Sequence, residues 1–148
     1  MKKLLKLALV VVLVMSSTSL FAQKFGRINT SEIIENMAES KEAQTQLEAY
    51  VQELSAQAET IQVEFNTKYQ EYQKNVETWS DAIRQLREKE LSDLQNRLRE
   101  FQQMAQQELQ KKYSDLMAPI EKKAIDAINE VSKAGGYAVV FDMSAGPI

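Results

Sequence analysis

The sequence has 148 residues, with 18 Lys and Arg against 21 Asp and Glu, a net charge of −3, and neither His nor Cys. The composition therefore lacks the commonest general base, thiol nucleophiles, disulfides and most transition-metal ligand sets. Net acidity also disfavours nucleic acid, whose phosphates are held by clustered cations.

In chain order, the first segment is "MKKLLKLALVVVLVMSSTSLFAQ". Its basic start, an apolar run from Leu7 to Met15 and small polar residues before Ala22 are the three parts of a secretory signal peptide, residues 1–22. The apolar run is well short of the ~20 residues a membrane span requires. Without a Cys near the junction, a lipoprotein-type anchor is excluded. Removing this segment takes three of the 18 cations and no anion, so residues 23–148 carry 15 positive and 21 negative charges, net −6. What remains is one small domain, too short for both a large core and a long arm in a monomer. Oligomerisation is expected.

"KFGRIN", Lys24 to Asn29, reads as a strand. "NTSE" follows, with Asn29 placed to cap a helix and Glu32 at its third position. From there to Pro119 there is no Gly or Pro, and good helix formers dominate. Apolar residues recur at spacings of three and four, from Leu47, Val51, Leu54, Ala58 and Ile61 through Leu94, Leu98, Phe101 and Ala105 to Leu109, Tyr113, Leu116 and Ile120. That is the seam of a coiled coil. Three i,i+4 charge pairs, Glu64/Lys68, Asp93/Arg97 and Glu108/Lys112, are expected to decorate its solvated surface.

Near the middle, "TWSD" gives Thr78 and Asp81 the spacing of a capping box. The expectation is a reversal there, with an ascending helix of about 47 residues, roughly 70 Å long. The descending helix should run from about Ser80 to Ala134, with a candidate kink at Pro119. "AGG" then supplies a stop at Gly135 or Gly136. "YAVVFD" reads as a buried strand. A lone strand leaves its backbone polar groups unpaired, and the other strand-like stretch is Lys24–Asn29 at the opposite end. Their pairing requires the chain between them to go out and come back, which favours a hairpin over an unbroken rod.

"KFGRINTSEIIENM", the long Glx-rich hairpin and "AINEVSKAGGYAVVFDMSAG" together resemble the Skp (OmpH-like) family of periplasmic chaperones, over nearly the whole of residues 23–148. The resemblance implies a mostly α fold with a small β-body, in which a long antiparallel helical hairpin is attached to short strands and three protomers pool those strands. On that pattern the body comprises about 24–30 and 119–148, and the arm about 31–118, with its tip near 78–83. It further implies a periplasmic, ATP-independent holdase without cofactor, which keeps unfolded outer-membrane proteins between the arms of a homotrimer. Family members continue past the position of "SAGPI" with another strand and a short terminal helix, whereas the present sequence stops at Ile148. Well-studied members are basic; the acidity found here argues against strong binding to anionic membrane surfaces.

No catalytic constellation stands out, since the carboxylates fall at helix-surface spacing and neither Gly-containing stretch is a phosphate loop. The aromatics of the hairpin admit two readings, as filling for the seam or as contacts for client chains. The candidates for client contact are Trp79, Tyr72, Tyr69, Phe101 and Met104, with Trp79 foremost because it lies near the tip; Met117 adds similarly adaptable surface. Phe25, Ile28, Val139 and Phe141 are the candidates for the trimer body. The rival to a holdase is a structural or adaptor coiled coil of the cell envelope.

Overall fold

A computed structural model of the chain describes residues 23–144 and 146. Residues 1–22, read above as a signal peptide, lie outside the described residues. The elements are β1 (Lys24–Ile28), α1 (Thr30–Asn36), α2 (Ala38–Asn75), α3 (Asp81–Ala134) and β2 (Tyr137–Asp142). They form two compact units, one of Ser31–Ile125 and one of the terminal segments up to Thr30 and from Asp126 onward. Among the described residues no helix is long and apolar enough to cross a membrane.

In the terminal unit β1 and β2 form a two-stranded parallel sheet. A parallel pair needs a long crossover, and here the whole hairpin supplies it. Phe25 stands opposite Val139, Arg27 opposite Phe141 and Ile28 opposite Asp142. The turn into β2 depends on Gly136, whose φ of 67° is left-handed and costs a glycine nothing. The Gly135 amide donates to the Val131 carbonyl at 2.8 Å and the Gly136 amide to Lys133 at 3.1 Å, closing the end of α3. Lys24 locks the start of β1 to this turn: its Nζ donates to the Gly135 carbonyl at 3.0 Å and lies 4.3 Å from the Tyr137 ring centre. A side chain at Gly26 would meet that same ring at 3.1 Å. The expectation of a buried strand is corrected within the single chain, because two strands have too little sheet to cover a face. Phe25 is 56% exposed, Val139 45% and Phe141 40%.

In the other unit α2 and α3 pack through a narrow seam. Leu54, Ile61, Leu94 and Phe101 are its buried cluster, with Tyr50, Ala58, Phe65, Leu98 and Ala105 packed against it. The chain reverses over Val76–Ser80. There the Thr78 hydroxyl donates to the Asn75 carbonyl at 2.7 Å, so it closes α2 and does not cap α3 as the box spacing predicts. Ser80 stands just ahead of α3, and its carbonyl accepts the Arg84 amide at 3.0 Å.

One further expectation changes. The ascending segment is not one helix, because Met37 adopts an extended backbone (φ −68°, ψ 140°) that separates α1 from α2. The break is stabilised locally: the Met37 amide donates to the Ile34 carbonyl at 3.1 Å, and the Ser40 hydroxyl donates to that carbonyl at 2.5 Å. The descending helix spans Asp81–Ala134, as expected, with Pro119 inside it.

Candidate functional surfaces

Several ion pairs of the arm cross the hairpin, and others lie along one helix. Lys68 pairs with Glu90 at 3.4 Å, Arg97 with Glu64 at 3.9 Å, and Lys123 with Glu39. Arg87 pairs with Glu90 at 2.9 Å and with Glu71 at 4.0 Å. The expected pairs Glu64/Lys68 and Asp93/Arg97 thus give way to partners on the facing helix. Residues that border a coiled-coil seam reach across it as readily as along their own helix. Glu108 likewise accepts the Tyr50 hydroxyl at 2.6 Å, while Lys112 sits 5.9 Å from the Tyr50 ring centre. Glu88 accepts the Tyr72 hydroxyl at 2.6 Å. Both acceptors raise the tyrosines above the ordinary phenol range, and Arg87 holds Glu90 below the usual carboxylate range. These shifts arise from structural pairs at solvated sites. Among the described residues no group of three or more acidic side chains could hold a metal ion.

The five candidate contact residues separate by environment. Tyr72 and Trp79 meet edge to face with ring centres 6.0 Å apart, and the Arg87 guanidinium lies 5.8 Å from the Trp79 ring centre. This knot ties the end of α2 to the turn and the start of α3. Phe101 is 9% exposed in the buried cluster, so in the single chain it fills the seam and offers little surface. Tyr69 is 44% exposed and stacks on Phe65 at 5.9 Å. Met104 is 48% exposed and lines a shallow recess with Gln57, Thr60 and Arg97. Of the five, Tyr69 and Met104 therefore present apolar surface to solvent.

Sequence spacing assigned some exposed apolar residues to the seam. Val51 and Tyr113 follow the three-four spacing yet stand at its edge, 41% and 48% exposed. A groove of about 340 Å³ opens beside Tyr113, lined also by Ile34, Leu47, Leu116 and Met117. Its position depends on the break at Met37, which no residue of the heptad pattern announces.

In the terminal unit Phe25 and Phe141 stack across the strands, ring centres 6.3 Å apart and planes 30° apart. Val139 stands opposite Phe25 in the register and shares its exposure, whereas Ile28 is half-buried. Three of the four candidate body residues thus leave large apolar area open in the single chain.

Comparison with known proteins bears on the whole of this arrangement. A family model described as "Outer membrane protein (OmpH-like)" matches residues 24–148. The chain is also 26% identical over 145 residues to a "Chaperone protein Skp" of Yersinia enterocolitica, an alignment covering 98% of this chain and 88% of that protein. The family match, which runs from the first strand onward and covers most of the sequence, places the chain in the outer membrane protein (OmpH-like) family.

Proposed function

We propose that the protein is a periplasmic holdase chaperone, not an enzyme. It would keep unfolded outer-membrane proteins from aggregating, without nucleotide, in the space between the helical arms of a homotrimer. The observation that carries this reading is the similarity to a protein named as a chaperone over almost the full length of both chains. The exposed strands support assembly: Phe25, Val139 and Phe141 offer a second and third copy a surface that one chain cannot cover. The hairpin supports holding, because its buried core is a thin line and apolar side chains remain open along its length. Export by residues 1–22 would deliver it to the compartment through which such clients pass.

The test is dilution of a urea-unfolded outer-membrane β-barrel protein into buffer with and without the protein, followed by light scattering. Protection without ATP at about one trimer per client is expected. A protein that assembles but leaves the aggregation rate unchanged would favour the adaptor reading.

A further inference from the structure

Beside the seam of an antiparallel hairpin lie two flanks, each made from one edge of both helices, and such positions are commonly charged. Here the flanks differ. On one, the heptad column Gln57, Glu64, Glu71 of α2 faces the column Glu90, Arg97, Met104, Lys111 of α3. Glu64 and Arg97 pair across it, Glu71 pairs with Arg87, and Glu90 with Lys68. The recess shared by Gln57, Arg97 and Met104 confirms that these columns lie side by side.

The opposite flank carries Ser55, Gln62 and Tyr69 on α2, and Gln95, Gln102, Leu109 and Leu116 on α3. Neither column contains a charged residue over these spans. The adjoining seam edge, Gln44, Val51, Ala58 and Phe65, is uncharged as well. Toward the base this flank runs into the groove lined by Gln44, Leu47, Tyr113, Leu116 and Met117, where Glu35 and Lys41 are the charged lining residues. The exposed Val51, Tyr69 and Tyr113 belong to this side.

We propose that this uncharged flank is where the arm holds an extended segment of unfolded polypeptide, one rich in apolar and aromatic side chains and poor in charge. The proposal rests on the holdase reading. Covering the paired flank would strip water from several ions, a cost their mutual attraction does not reliably repay. Covering the uncharged flank displaces water chiefly from amides and apolar groups, with Glu35 and Lys41 as the charges in the groove at its base. Gln95 and Gln102 each carry a donor and an acceptor, matching the unpaired backbone N–H and C=O groups of an extended chain, while Gln62, whose amide nitrogen donates to Asn66 at 3.1 Å, adds its carbonyl as an acceptor. Val51, Tyr69 and Tyr113 give its side chains apolar area. A second copy of the arm fits this flank poorly, because the recurring amides interrupt the continuous apolar column that another helix would need.

The experiment places a photo-crosslinking amino acid at Gln62 or Gln102 on the uncharged flank, and at Gln57 or Met104 on the paired flank, of the full chain. A urea-unfolded outer-membrane β-barrel protein serves as client. Cross-links to client from Gln62 and Gln102, and few from the other pair, are expected. The double variant Gln62→Glu with Gln102→Glu should weaken client binding about tenfold, equivalent to about 1.4 kcal/mol, with helicity by circular dichroism retained. Gln57→Glu should change it less than about twofold, since it adds a charge where charges already stand. Protection with client cross-links on the Gln57 and Met104 side, or with cross-links from arm to arm at Gln62, would overturn this assignment and leave the holdase reading standing. Loss of protection in the unaltered protein would remove the holdase reading itself.

Discussion

The carboxylate of Asp142, at the end of β2, accepts the backbone amide of Thr30 at 3.2 Å, across 112 positions of sequence. Thr30 opens α1, whose first amides have no partner within the helix. A negative charge at that position both accepts a hydrogen bond and interacts favourably with the positive end of the helix dipole. The same oxygen accepts the Ser144 amide at 3.0 Å. One side chain thus joins the last strand, the first helix and the segment beyond β2.

These hydrogen bonds, foremost from the Thr30 side chain and then from the Ser144 and Thr30 amides, lower Asp142 from 3.8 to about 2. A group lowered in the fold contributes stability that is complete above its unfolded value and is lost as pH falls through its folded one. Its contribution should therefore be present at neutral pH and drain away between about pH 4 and pH 2. Asp142→Asn is expected to lower the urea midpoint at pH 7, and the gap from the unaltered protein should close near pH 2. A gap that stays constant with pH would show that this carboxylate is not the titrating group.

Ile61 and Phe101 are buried in the seam cluster, while Met104 is 48% exposed beside them. Phe101→Ala should cost about 3 kcal/mol, the lower end for such a truncation because the seam of a two-helix arm collapses readily. Ile61→Ala should cost about 2 kcal/mol on the same grounds. Met104→Ala should fall within about 0.5 kcal/mol of the unaltered protein. Urea denaturation followed by circular dichroism measures all three. Equal losses at Phe101 and Met104 would contradict the seam described here.

The contrast between these neighbours shows what the sequence carried. The hairpin was legible because local terms agree with the global ones: a three-four spacing with no interruption by Gly or Pro specifies a seam, and "AGG" specifies its end. Phe101 and Met104 are three residues apart, and the heptad column alone separates core from surface, so an aromatic list without columns mixes the two. The break at Met37 was not legible, since it lacks Gly or Pro and is held by the Ser40 hydroxyl on the Ile34 carbonyl. Nor was the role of Asp142, because the acceptor of the Thr30 amide comes from the far end of the chain, where no local pattern points. Cross-hairpin pairs such as Arg97 with Glu64 escaped for the same reason: i,i+4 spacing is visible locally, and a facing helix is not.

Val139 faces outward from the parallel pair opposite Phe25, 45% exposed in the single chain. If three copies cover that surface, Val139→Asp would place an unpaired charge in the shared core and should abolish assembly. The isolated fold should tolerate it, since the position is open to solvent in one chain. Light scattering should give about three times the protomer mass for the unaltered protein and one protomer mass for the variant, with helicity largely retained. A variant that still assembles would remove this face from the interface.

The arm can be shortened without disturbing its ends. Tyr50 meets Glu108 near the base and Tyr72 meets Trp79 at the turn, and both contacts survive if whole heptads are removed between them. Deleting residues 55–68 from α2 and 92–105 from α3 joins Leu54 to Tyr69 and Leu91 to Gln106, preserving the heptad register on both helices. The arm loses about 21 Å at 1.5 Å per residue. It also loses Gln62 and Gln102 and three of the four residues of the buried cluster, Ile61, Leu94 and Phe101 leaving together. Because β1 and β2 are untouched, the shortened protein should assemble as the full one does. Its protection of a β-barrel client in the scattering assay should fall severalfold, most for the largest barrel, since a holdase that works between arms depends on their length. A shortened trimer that protects as well as the full protein would show that the arms are not where clients are kept, and the adaptor reading would then account better for so long a hairpin.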